Sequence, residues 1–153
     1  MAQENQPDPV DPFPIRRLAA GDNAKGFTSL LSQLSSCPPI PDPDFLSLLS
    51  SLPADHLVCV AEDPSSSRVV ATGSCFVERK FLRGCGKVGH IEDVVVDSSV
   101  RGKKLGQKVV EYLTEHARSE GCYKVILDCS PENRGFYEKC GFVEKNVQMA
   151  IYF

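Results

Sequence analysis

Several features that would place a chain quickly are missing here. No stretch of the 153 residues approaches the roughly 18 consecutive apolar positions of a membrane-spanning helix. No two of the cysteines at 37, 59, 75, 85, 122, 129 and 140 stand at C-x-x-C spacing, and their number is odd, so neither a disulfide framework nor a zinc site is indicated. Cys59 and Cys75 fall in apolar runs and read as small buried hydrophobes of a reducing compartment. There is no positive surplus: the net charge of −3 argues against a nucleic-acid binder. The opening MAQENQPDPV has no basic start, no apolar core and no arginine, so neither a secretory signal nor a transit peptide is expected.

What is present is ordinary globular material. An apolar share of 42% over this length supplies one core, hence one domain. Residues 1–12 are proline-rich, polar and acidic, unable to offset their ordering entropy by burial, and read as a disordered tail. The domain is expected over 13–153.

Residues 15–18 read as a first strand. Asp22 is placed to cap a helix carrying Phe27, Leu30, Leu31 and Leu34. Four prolines between Cys37 and Asp44 force a loop. A second helix follows with Phe45, Leu48, Leu49 and Leu52 on one face, ended by Pro53. The runs 57–62 and 69–78 are strand-like and joined by the turn-forming DPSSS. A basic, glycine-bearing turn, RKFLRGCG, leads into a strand over 87–97. Leu105, Val109, Tyr112, Leu113, His116 and Ala117 then repeat at helical spacing, up to Gly121. A strand over 123–129, a helix opened by Ser130-Pro131, a stop at Gly141 and a last strand over 146–153 complete the order. The β–α–β unit at 90–128 demands a parallel pair in an otherwise antiparallel sheet. The expected fold class is therefore α/β mixed: a mostly antiparallel twisted sheet with helices on its faces.

The stretch from His90 to Ala117 is where chemistry concentrates. A valine-rich strand runs into Arg101-Gly102-Lys103-Lys104-Leu105-Gly106-Gln107, and this turn opens directly into the amphipathic helix. Such a junction offers unsatisfied backbone N–H groups, a helix dipole and three full positive charges to a polyanion. A solvated lysine-rich helix start would look the same, and a short glycine motif alone is weak.

The strand, the R-G-x-x-L-G turn and the helix together resemble motif A of the GNAT acetyltransferase superfamily, with Lys104 standing where the usual signature has its middle glycine. GHIEDVVVD, GCYKVILDCS and FYEKCGF, in this order and spacing, are similar to the glucosamine 6-phosphate N-acetyltransferases within it, the plant forms above all. The likeness spans roughly 13–153.

The resemblance implies a GNAT fold and acetyl-CoA as co-substrate, without a metal. It implies transfer of the acetyl group to the amine of D-glucosamine 6-phosphate by direct attack in a ternary complex, on the route to UDP-N-acetylglucosamine. Residues 101–107 would hold the pyrophosphate, Val94, Val95 and Val96 the pantetheine arm, and Asn133 would join the cofactor site. Tyr137 would assist the leaving thiolate, Asp128 would orient the amine, and Glu92 and Asp93 would meet the sugar. Strand alternation puts those last two on opposite faces. Ser35, Lys80, Phe81, Leu82, Arg83, Tyr123 and Lys124, with Val94, would complete the substrate site. A homodimer would share that site between subunits, Tyr123 and Lys124 serving the partner. The end of the chain, Ala150-Ile151-Tyr152-Phe153, lacks the basic phosphate contact that relatives outside plants carry.

His90 has the right chemistry for a general base, although a lone strand histidine is more often structural. Phe136 reads as a core aromatic. Cys129 and Cys140 have no neighbouring base in sequence, which disfavours an acyl-enzyme. Two other functions are open: a GNAT enzyme for another small amine or a protein amine, and a non-catalytic acetyl-CoA-binding or dimer-scaffold module. A cytoplasmic location is expected, with a peripheral seat on the cytosolic face of the endoplasmic reticulum or other endomembranes as the variant implied by animal relatives.

Overall fold

The computed structural model describes residues 11–153; most of the expected tail, 1–10, lies outside the described residues. One five-stranded sheet runs β1 (Ile15–Arg17), β2 (Leu57–Asp63), β3 (Arg68–Arg79), β4 (Lys87–Val96), β5 (Lys124–Ile126), in that spatial order. All pairs are antiparallel except β4–β5, the parallel pair that the β–α–β unit requires. The helices are α1 (Phe27–Leu31), α2 (Asp42–Ser51), the single turn α3 (Leu82–Cys85), α4 (Leu105–Ser119) and α5 (Arg134–Lys139).

Each face of the sheet carries its own core. On one, Val60, Val69 and Val95 pack with Leu18, Phe27, Leu30 and Phe45 from the α1–α2 side. On the other, Cys59, Ala61, Cys75 and Ile91 pack with Leu105, Val109, Val110, Leu113 and Ala117 of α4. Burial pushes the Cys59 thiol up to about 12 and Cys75 to about 11, so both behave as hydrophobes. The buried stripe of α4 uses Val110 rather than Tyr112, which lies outward, and His116 Nε2 bonds the Asp55 carbonyl oxygen at 2.8 Å.

Other expectations are corrected. The first helix is split: a 3₁₀ stretch, Ala20–Lys25, ends at Gly26 with φ +83°, and α1 restarts beyond it. Asp22 is the third residue of that stretch, not its N-cap. Its carboxylate accepts from the Ala19 N–H at 2.7 Å and, from both sides, Arg16 at 2.8 Å. The strand expected over 123–129 pairs only at Lys124–Ile126, because β4 bends away beyond that point. Residues 143–153 form no strand and reach solvent throughout, with Val147, Met149, Ile151 and Phe153 all highly exposed. An extended segment becomes a strand only when it has a partner, and none of the described residues supplies one. No helix among the described residues is long and apolar enough to cross a membrane.

Candidate active site

The site is opened by a fault in β4. Thr72 pairs with Val95 and Ser74 with Glu92, so Asp93 and Val94 together oppose the single residue Gly73. This is a β-bulge, and Asp93 takes the left-handed conformation, φ +53°, that such an inserted residue often adopts. Aspartate tolerates that region better than most side chains. Gly73 is required opposite it, since a Cβ there would lie 2.9 Å from Leu113 Cδ1 and 3.0 Å from Val109 Cγ1.

The bulge cancels the alternation expected for the Glu92–Asp93 pair. Both carboxylates reach solvent, while Val94 and Val96 turn toward α4 and Val95 toward α1. It also parts β4 from β5. Their pairing ends at His90 with Ile126, and beyond it the β5-facing edge of Val94–Val96 has no strand partner among the described residues.

Asp128 and Cys129 lie exposed on the chain that diverges from β5, and half-buried Tyr137 of α5 packs against Phe136 and Phe142 in edge-on contacts. Burial raises the Tyr137 phenol above its ordinary value, helped by Cys129, Cys140 and the charge of Glu92. Desolvation likewise raises Glu92, with Asp128 and then Asp93 adding to it as like charges. The cleft between the diverging strands thus gathers Glu92, Asp93, Asp128 and Tyr137. His90 is near enough to act on Glu92, but its Nε2 is engaged by Glu78 Oε2 at 2.7 Å and its ring stacks on Phe76 at 4.5 Å.

At the far end of β4 the chain makes the turn into α4. Gly102 has φ +84°, and Lys104, at the N-cap, has φ +58°. The position where the family motif carries glycine is therefore one whose backbone favours glycine, and Lys104 occupies it under strain. No side chain caps the helix and its first turn holds no acidic residue, leaving the N–H groups of Leu105, Gly106 and Gln107 open to an anion. Gly106 allows close approach, since a Cβ there would sit 3.1 Å from Phe136 Cζ. That contact locks α5, and so Tyr137, onto the start of α4. These features fit the diphosphate of a nucleotide-bearing cofactor.

The turn's cations are not equivalent. Arg101 Nε donates to the Val96 carbonyl at 3.3 Å. Lys103 lies over the Phe13 ring, 5.3 Å from its centre, while Lys104 makes no ion pair or side-chain hydrogen bond among the described residues. Asn133, at the end of the 3₁₀ turn Pro131–Asn133, is exposed on the approach to α5.

The expected sugar-phosphate residues divide into two groups. Arg83 lies over the Tyr123 ring at 5.1 Å and Lys124 over the same ring at 5.7 Å, so these three converge. Lys80 stands beside them, but its ammonium is taken by Glu78 at 2.9 Å, and Phe81 and Leu82 point into solvent. This cluster borders the start of β4. Ser35 lies near its other end, two residues past Gln33, whose amide donates to Asp97 at 2.8 Å. Ten strand residues separate the two regions, roughly 30 Å at about 3.3 Å per residue. A hexose phosphate cannot bridge that distance within one chain.

Phe13 and Asp11 escaped the sequence reading. Asp11 had been assigned to the tail, yet its Oδ1 accepts from the Phe13 N–H and from Lys108 Nζ, both at 3.0 Å, and Phe13 is buried in the α4-side core. An aromatic held between Pro12 and Pro14 was the available signal.

The bulged strand, the uncapped glycine turn and the long helix that follows define an acyl-CoA-dependent acyltransferase fold. Residues 27–142 match the family described as Acetyltransferase (GNAT) family, and the chain belongs to it. Within the family the likeness is to one activity. The chain is 61% identical to the probable glucosamine 6-phosphate N-acetyltransferase 2 of Oryza sativa subsp. japonica, over 91% of this chain and 87% of that one. It is 53% identical to the glucosamine 6-phosphate N-acetyltransferase of Arabidopsis thaliana. The crystal structure of the Arabidopsis thaliana enzyme superposes with a TM-score of 0.91 over 94% of this chain and 99% of that one. GNAT acetyltransferases use acetyl-CoA, and the turn at 101–107 is the part of this chain suited to it.

Proposed function

We infer that this chain transfers the acetyl group of acetyl-CoA to the amine of D-glucosamine 6-phosphate, giving N-acetyl-D-glucosamine 6-phosphate. The observation that carries the reading is the unpaired β4 edge beyond the Asp93 bulge, with Tyr137 near enough to Glu92 to feel its charge. High identity to relatives of that named activity selects the substrate.

Acetyl-CoA supplies an activated thioester. The N–H groups of Leu105, Gly106 and Gln107 hold its diphosphate, with Lys104 adding charge, and the open edge of Val94–Val96 receives the pantetheine arm. A backbone N–H near Val94 faces the charge that develops on the carbonyl oxygen. Glu92, Asp93 and Asp128 attract the substrate amine, and the raised affinity of Glu92 for a proton suits it to accept one. Tyr137, a phenol protonated at neutral pH whose burial further favours that form, donates to the departing sulfur.

The sugar site is completed across a homodimer. Two features support this. Ser35 and the Arg83–Tyr123–Lys124 cluster lie too far apart for one chain to offer both to one sugar, whereas a two-fold partner can return the cluster to the other end. Residues 147, 149, 151 and 153 alternate as apolar positions on an exposed extended arm, the pattern of a strand whose sheet is elsewhere. A second copy provides that sheet.

The test is acetyl-CoA consumption with glucosamine 6-phosphate, glucosamine, spermidine and a peptide amine. Glucosamine 6-phosphate should exceed the others in kcat/KM by at least about 100-fold, the effect of satisfying a buried phosphate site. Equal use of unphosphorylated glucosamine, or preference for spermidine or the peptide, would refute the assignment.

A further inference from the structure

We propose that Asp11 and Phe13 form a clasp that positions the cofactor turn, with Lys103 as its catch rather than as a ligand of the diphosphate. The proposal rests on residues 101–107 being the diphosphate-binding turn.

Lys103 is one of three cations in the turn, and charge alone would aim it at a bound polyanion. The geometry aims it elsewhere. Its ammonium lies 5.3 Å from the centre of the Phe13 ring, the arrangement of a cation–π pair. Phe13 is firmly anchored, since it is buried with Val100, Leu105 and Val109, the residues on which the turn and the first coil of α4 rest.

One residue group away, Asp11 makes a second attachment. Its Oδ1 accepts from the Phe13 N–H and from Lys108 Nζ, each at 3.0 Å. Lys108 is the residue whose N–H closes the first turn of α4 on the Lys104 carbonyl, at 3.2 Å. The segment 11–13 therefore grips the turn at Lys103 and the helix one coil later at Lys108. Between these grips lie Lys104, strained at φ +58°, and the open N–H groups of Leu105 to Gln107. A strained turn keeps its shape only when its surroundings over-determine it. The clasp is the part of those surroundings contributed from before β1.

The experiment compares two acetyl donors in the full-length protein: acetyl-CoA, and acetyl-pantetheine, which lacks the diphosphate and nucleotide. The substitutions are Phe13→Leu, which keeps an apolar filling but removes the ring face, and Lys103→Met, which keeps the stem but removes the charge. Each should raise KM for acetyl-CoA about threefold to tenfold, with kcat and the kinetics of acetyl-pantetheine unchanged. The double variant should be no worse than either single one, because both remove the same contact. Asp11→Asn, on the surface, should give a shift of about twofold in the same direction without disturbing the core.

An unchanged KM for acetyl-CoA in Phe13→Leu would overturn the clasp, as would equal rises for both donors. Additive effects of Phe13→Leu and Lys103→Met would overturn it by showing that Lys103 holds the diphosphate directly. Wild-type protein that uses both donors equally well would instead overturn the underlying assignment of the turn.

Discussion

Replacing Lys104 with glycine should make the protein more stable and a weaker binder of acetyl-CoA at once. Lys104 has φ +58° and ψ 16°, with an exposed side chain. An L-residue in that conformation loses about 1–2 kcal/mol per residue relative to the right-handed form. Glycine escapes this but gives back about 0.5–1 kcal/mol through the greater freedom of the unfolded chain. The net gain is about 0.5–1 kcal/mol. For a domain of this size it corresponds to a rise of about 1–4 °C in Tm. The substitution also removes the one ammonium of the turn that has no partner among the described residues, so the Kd for acetyl-CoA should rise about twofold to fivefold. Thermal unfolding of the ligand-free protein and calorimetric titration with CoA measure the two effects separately. Lys104→Ala is the control: it removes the charge but keeps the Cβ, so it should lose affinity without gaining stability. If alanine raises Tm as much as glycine does, the gain comes from relieving repulsion with Arg101 and Lys103, and the argument from backbone strain is refuted.

Tyr137→Phe should lower kcat by about 10²-fold while leaving the affinity for acetyl-CoA within a factor of two, because only the donated proton is removed; stopped-flow turnover beside CoA titration decides it, and an unaltered kcat would end the assignment. Asp22→Asn should cost about 2–4 kcal/mol in urea unfolding, because it strips Arg16 of its two-pronged partner while Glu62 still holds that guanidinium at 2.8 Å. Burial pushes the Asp22 carboxyl up, but Arg16 and the Ala19 N–H outweigh it and hold the pKa below its ordinary value. The group therefore contributes stability that is complete above the unfolded value near 3.8 and is lost as pH falls through the folded one, so the penalty of Asp22→Asn should shrink below about pH 4. If the sugar site is shared as proposed, the full chain should sediment as a dimer in analytical ultracentrifugation, and ending it after residue 142 should leave monomers that no longer turn over glucosamine 6-phosphate; a fully active monomer would refute the shared site.

The sequence exposed whatever depends on local pattern. The α4 stripe, the proline loop, the β-rich runs and the parallel crossover follow from periodicity and turn chemistry, and the structure contains them. The glycine turn was equally visible, since Gly102 and Gly106 sit where conformation and close approach demand them. Elements that depend on distant partners stayed hidden. The bulge at Asp93 stands opposite Gly73, some twenty residues earlier, where a side chain would crowd Leu113 and Val109 of α4, and no spacing around Glu92 reveals this. Lys80 looked like a free cation until Glu78, two positions away on an extended chain, turned out to neutralise it. The contact of Lys103 with Phe13 was also out of view, because it crosses about ninety residues. The separation of Ser35 from the basic cluster was not legible either, because sequence carries no measure of the length of β4. The arm at 146–153 has correct strand chemistry and no strand, since pairing is a property of two segments rather than one.

The bulge in β4 also makes that strand a phase shifter. An uninterrupted strand keeps one parity from end to end, so whichever face its odd positions serve at the start they serve at the finish. The inserted residue lets Ile91, Val94 and Val96 all address the α4 side while Val95 addresses α1, two packing schemes half a period out of step within ten residues. Removing Asp93 would close the ladder one-to-one, with Val94 opposite Gly73, and would leave Ile91, Val94 and Val96 on the α4 side and Val95 on the other by plain alternation. The two cores are thereby indifferent to the inserted residue while the site depends on it, so a one-codon deletion there should spare the fold and abolish the irregularity that frees the β4 edge.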